Sequence, residues 1–148
     1  MRNGVSAATG LTINALDNHP QLRRFSIEVA GEAVRVGQRL GYSLTALGAI
    51  PAALFAAAAD GNEAAFAGIE QRLIDAAQRG AAGQRPSMGQ DIEKGRRTEI
   101  DEIYGLVVQR ATELGIPVPA NQTVYDRVRA IENGTLTPAP ENILDAVE

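Results

Sequence analysis

Residues 20–40 read PQLRRFSIEVAGEAVRVGQRL. Leu22, Phe25, Val29, Ala33, Val36 and Leu40 recur there every three or four positions, the spacing that lines up side chains along one face of an α-helix. Gly41 follows, where a helix ends most easily in the left-handed conformation. Working outward, the same period returns in residues 62–78 (Phe66, Ile69, Leu73, Ala77), in residues 99–114 (Ile100, Ile103, Val107, Ala111, Leu114) and in the shorter stripe Val124, Val128, Ile131. Gly61, Gly80, Gly115 and Gly134 punctuate these segments. Period-two alternation, the strand signal, is nowhere sustained, and no internal repeat occurs. The pattern predicts an all-α fold. Residues 79–85 (RGAAGQR) read as a flexible connection and residues 116–119 (IPVP) as a short extended linker. Residues 1–136 are expected to form one helical domain. Residues 137–148, rich in Pro and Thr, read as a tail with at most one weak helical turn over 141–147.

Composition agrees. With 148 residues, 45% hydrophobic and 22% charged, the chain has the size and balance of one globular domain. Alanine dominates, aromatics are 4% and tryptophan is absent, which favours closely packed helices. A net charge of −4 argues against nucleic acid, whose phosphates call for a basic surface. The absence of cysteine removes disulfides and thiolate metal sites, and the single histidine, His19, removes a multi-histidine cluster, so no metal is expected. Residues 1–12 lack a secretory pattern. The apolar run 44–59 is broken by Pro51 and is too short to span a bilayer, so no membrane role is expected. Without a secretory route, Asn121-Gln122-Thr123 and Asn133-Gly134-Thr135 read as chance matches to the glycosylation pattern. A cytoplasmic location is the expectation.

Several catalytic arrangements are missing. No Gly-x-Gly-x-x-Gly and no Gly-Lys-Ser/Thr phosphate loop occurs. A Ser-His-Asp triad would have to use His19, which reads instead as a turn residue before a helix. The densest polar segment, residues 85–101 (RPSMGQDIEKGRRTEID), supports two readings. In the first, Ser87 with Gln90 and Thr98 with Asp101 are capping boxes, flanking a short helix over 88–94 and a longer one from Thr98, with Lys94, Arg96 and Arg97 as a solvated cationic end. In the second, a hydroxyl and the Glu99 carboxylate at adjacent helix starts hold a small oxygen-rich acid. Spacing alone does not choose between them.

The run Pro86-Ser87-Met88-x-Gln90-Asp91-Ile92, then Lys94-Gly95-Arg96-Arg97-Thr98-Glu99-Ile100-Asp101, resembles the signature of ketopantoate reductases (2-dehydropantoate 2-reductases). Gly105, Glu113-Leu114-Gly115-Ile116-Pro117-x-Pro119-x-Asn121 and Ile131-Glu132-x-Gly134 continue it in order, over about half the chain. Asn3 followed by Ser6-Ala7-Ala8-Thr9-Gly10 is similar, less specifically, to the first helix of the family's C-terminal domain. The resemblance implies an all-helical domain like the C-terminal domain of 6-phosphogluconate dehydrogenase. In the family it stands beside an N-terminal Rossmann domain that binds NADPH, and a 2-oxo acid is reduced in the cleft between them. It also places Ser87 on the substrate's carboxylate end, Glu99 on its hydroxyl and Asn3 near the substrate.

Departures accompany the resemblance. The family's catalytic lysine, and another asparagine of the same helix, correspond to positions before Met1. These 148 residues are therefore expected to carry no catalytic residue, to bind no cofactor alone and to be inactive alone, with NADPH entering only through a Rossmann half such as a separate subunit. Tyr104 stands where the family usually has asparagine, and Gly89 replaces a larger apolar residue, which is expected to loosen the helix after Ser87. Two functions follow as alternatives: the substrate-binding half of such an NADPH-dependent oxidoreductase, or a stand-alone helical binding or dimerisation module that has lost catalysis. Either would expose an apolar face, so a homodimer is expected.

Overall fold

The helix α3 (Pro20–Arg39) is the axis of the molecule. Proline at its first position needs no N–H partner, and His19 Nδ1 accepts the Leu22 N–H at 3.4 Å, so His19 is the helix cap at the turn the sequence indicated. The computed structural model describes residues 2–79, 83 and 85–146; Gly80, most of the 79–85 connection and Val147 lie outside the described residues.

The fold is all-α, as expected, but α3 carries two buried stripes rather than one. Leu22, Phe25 and Val29 enter a main core with α1 (Arg2–Thr9), α2 (Ile13–Asn18) and α8 (Pro119–Glu132). Ile27, Ala30 and Val34 face a second core with α4 (Ala52–Ala59) and α5 (Glu63–Arg79). Val36 joins Ala111 and Val118 in a third cluster. Leu40, the last residue of the expected stripe, falls beyond the helix end and is exposed. Each fully buried Leu, Val or Phe contributes roughly 1.5–3 kcal/mol, which outweighs helix propensity in deciding the arrangement. Helices α3 and α4 cross closely at Gly31, where a Cβ would lie 2.8 Å from Ala59 Cβ.

The apolar run 44–59 forms a minimal hairpin, β1 (Ala46–Leu47) and β2 (Ile50–Pro51), before α4. With two residues per strand it is too short to show alternation in sequence. After α5 come α6 (Ser87–Glu93) and then one continuous helix: Ile100, a π turn over Asp101–Gly105 and α7 (Leu106–Leu114). Gly115, at φ 66°, ends it, and the Ile116 N–H returns to Ala111 O at 2.9 Å.

The entry to α8 is held from across the fold by a buried carboxylate. Glu32 on α3 accepts the N–H groups of Ala120 (3.0 Å) and Asn121 (2.8 Å) and the Asn121 side-chain amide (2.7 Å). Pro119 has no N–H, and Gln122 reaches Val118 O, so the backbone N–H groups of the first turn of α8 are all satisfied.

The stretch read as a tail packs into the main core. Its one short helix, α9 (Glu141–Leu144), buries Ile143 completely. Ala139 N–H and Asn142 Nδ2 both donate to Ala8 O, a carbonyl left open at the end of α1. Among the described residues, no helix is long and apolar enough to cross a membrane.

Candidate substrate-binding site

Asn3 lies in the first turn of α1, half-buried, beside Gly4. Gly4 is a close-approach position: a Cβ there would stand 2.5 Å from Val124 and 2.7 Å from the Tyr104 ring. The Tyr104 hydroxyl accepts the Gly4 N–H at 3.1 Å. Tyr104 is fully buried, and burial drives its phenol pKa far above the ordinary range, so it stays neutral. The residue that departs from the family pattern thus fastens the π turn to the start of α1.

Ser87 opens α6 and is exposed. The expected Ser87–Gln90 capping box is not formed. Pro86, in extended conformation, occupies the cap position, Ser87 is already helical, and Gln90 Nε2 turns back to donate to Arg85 O at 2.8 Å. Gly89 does not prevent the helix: it is buried against α1, where a Cβ would meet Ser6 Oγ at 3.4 Å, an ordinary contact.

Glu99 is exposed between two pinned residues. Thr98 caps the following turn, its Oγ1 accepting the Ile100 N–H at 3.2 Å. The reciprocal half of the expected Thr98–Asp101 box comes from elsewhere, because Glu132 Oε1 accepts the Thr98 N–H at 2.6 Å. Asp101 instead accepts from Arg97 (2.8 Å) and from the Tyr125 hydroxyl (3.0 Å), which hold its carboxyl below the usual carboxylate range. Arg129 bridges Asp101 and Glu132 at 3.6 and 3.0 Å. Glu132 entered the sequence reading only as part of a family pattern; its role depends on a contact 34 positions away.

Two of the three elements are thus fixed to α1 near Asn3, α6 through Gly89 and Ser6 and the Glu99 helix through Tyr104 and Gly4. No hydrogen bond joins the side chains of Asn3, Ser87 and Glu99, and among the described residues none of them has a hydrogen-bond or ion-pair partner. None lines either of two surface grooves. One, of about 480 Å³, includes Arg2; the other, of about 330 Å³, includes Arg96, Arg97 and Arg129.

A family model described as ketopantoate reductase PanE/ApbA C terminal matches residues 1–132. The chain belongs to the ketopantoate reductase C-terminal family. It is 31% identical over 129 residues to a 2-dehydropantoate 2-reductase of Halobacterium salinarum, an alignment covering 85% of this chain and 35% of that protein. It is also 43% identical over 53 residues to a 2-dehydropantoate 2-reductase of Archaeoglobus fulgidus, covering 36% of this chain and 18% of the relative. A crystal structure of a PanE/ApbA family ketopantoate reductase from Ralstonia eutropha superposes with a TM-score of 0.65 at 29% identity, over 90% of this chain and 37% of that one. The chain spans little more than a third, at most, of the length of these relatives.

Proposed function

We propose that this ketopantoate reductase domain forms the substrate-binding wall of an NADPH-dependent oxidoreductase acting on a 2-oxo acid. The observation that carries the reading is the idle state of Ser87 and Glu99. Both stand at helix starts, exposed, with no partner among the described residues, although the bland alternative for Ser87 was a helix cap. In this reading the Ser87 hydroxyl donates to the carboxylate end of the substrate, Glu99 accepts from its hydroxyl, and Asn3 contributes an amide beside them. The work of these residues in this reading is to bind and orient the 2-oxo acid. In this reading NADPH is held by a Rossmann half.

The test is calorimetric titration of ketopantoate and pantoate into the parent chain and into Glu99→Gln and Ser87→Ala. Binding in the parent that weakens at least tenfold in both variants supports the reading. Equal affinity in all three contradicts it.

A second reading concerns association. Leu40, Tyr42, Leu44 and Leu106 are large apolar side chains left exposed, with Tyr42 65% accessible, which favours a homodimer that covers them. Sedimentation tests this: a monomer at tens of micromolar contradicts it, and a dimer disrupted by Tyr42→Asp and Leu106→Asp supports it.

A further inference from the structure

The larger groove has the build of a second ligand site, separate from Asn3, Ser87 and Glu99. It runs between α3 and α5 under the β1–β2 turn, and its volume of about 480 Å³ falls in the range of small-molecule sites. Its floor is apolar, formed by Ile27, Ala30, Ile50, Phe55 and Leu73. Its rim is cationic. Arg72 and Arg79 sit seven residues apart on α5, on one helix face with the small Ala76 between them. Arg2 closes the rim, ion-paired with the buried Asp17.

The charges around this opening are unbalanced. Among the described residues neither Arg72 nor Arg79 has an ion-pair or hydrogen-bond partner. Asp75, the acidic residue of the lining, is engaged with the Gln71 amide at 2.7 Å. A solvated helix face would explain two unpaired arginines alone. It does not explain an apolar trough open beneath them, for a guanidinium fork beside an apolar wall matches a planar anionic head on an aliphatic body.

We propose that this groove binds an aliphatic carboxylate, with the chain on Ile27, Ala30 and Phe55 and the carboxylate between Arg72 and Arg79. The probe is sodium octanoate, with 1-octanol as the neutral control, titrated into the isotope-labelled chain and followed by amide chemical shifts. Saturable shifts centred on Ala30, Gly48 and Ala76 are expected with octanoate, and at least tenfold weaker binding of octanol. The Arg72→Gln/Arg79→Gln double variant should lose at least tenfold in octanoate affinity, and Arg72→Lys/Arg79→Lys should recover most of it. Both side chains are exposed, so the fold is expected to survive, and helical circular dichroism checks this. Glu99→Gln should leave octanoate binding unchanged. Absent or scattered shifts, equal binding of octanol, or an indifferent double variant overturns the proposal. Loss in Glu99→Gln, but not in the arginine variant, would move octanoate to the 2-oxo acid site, overturning this inference while leaving that reading intact.

Discussion

The Tyr104 hydroxyl accepts the backbone N–H of Gly4 at 3.1 Å, with the tyrosine ring lying where a side chain at Gly4 would have to be. One contact therefore joins the π turn that follows Glu99 to the residue beside Asn3. Gly4→Ala is expected to destabilise the chain by about 1–3 kcal/mol through overpacking. Tyr104→Phe, which leaves the Gly4 N–H without this acceptor, should cost a similar 1–3 kcal/mol or so. Urea denaturation at neutral pH measures both.

Glu32 organises the start of α8 without touching the proposed substrate residues. Glu32→Ala strands the Ala120 and Asn121 N–H groups and removes one of the two acceptors of the Asn121 amide, which keeps Val29 O, and a loss of roughly 2–4 kcal/mol is expected. Glu32→Gln keeps one acceptor oxygen and should lose less. If the two variants are equally stable, the three donors are not what Glu32 serves.

Position 89 offers the opposite sign. Gly89 lies inside α6 at ordinary negative φ, with room for a methyl group against Ser6. Gly89→Ala should stabilise by about 0.5–1 kcal/mol, since the unfolded chain loses more freedom with alanine than the helix does. A lower denaturation midpoint would show that α6 and α1 pack too tightly there for any side chain.

The Asp101 cluster gives a pH dependence. Arg97 and Tyr125 lower the folded-state pKa of Asp101 below its ordinary, unfolded value. Its stabilising contribution is therefore fully present above the ordinary carboxylate value of about 4, shrinks as pH falls from there through the folded value, and is gone below it. Asp101→Asn should flatten this part of the acid limb of the stability curve. An unchanged acid limb would mean that the pairing does not couple to folding.

The helices were legible because their stripes repeat over three or more turns. Tyr104 stands four positions after Ile100 and seven before Ala111, on the same helical face, but the sequence stripe runs instead through the aliphatic Ile103 and Val107, which are only half-buried. The second stripe of α3 was hidden because Ile27, Ala30 and Val34 interleave with the first, as happens when a helix is covered on two sides. Ile143 and its neighbour Leu144 anchor the stretch among prolines and polar residues, too brief for a period. In residues 85–101 local patterns marked Thr98 as a cap, which it is, but gave Ser87 the cap position that Pro86 occupies and gave Asp101 the partner role that the distant Glu132 takes. Long-range partners of this kind leave no mark on spacing.

Amide-shift mapping of the labelled chain titrated with pantoate tests most directly whether Asn3, Ser87 and Glu99 form the substrate wall. Saturable shifts clustered at residues 3–6, 87–90 and 98–101, lost in Glu99→Gln, are expected. Shifts confined to other parts of the surface, or shifts at these positions that persist undiminished in Glu99→Gln, would contradict it.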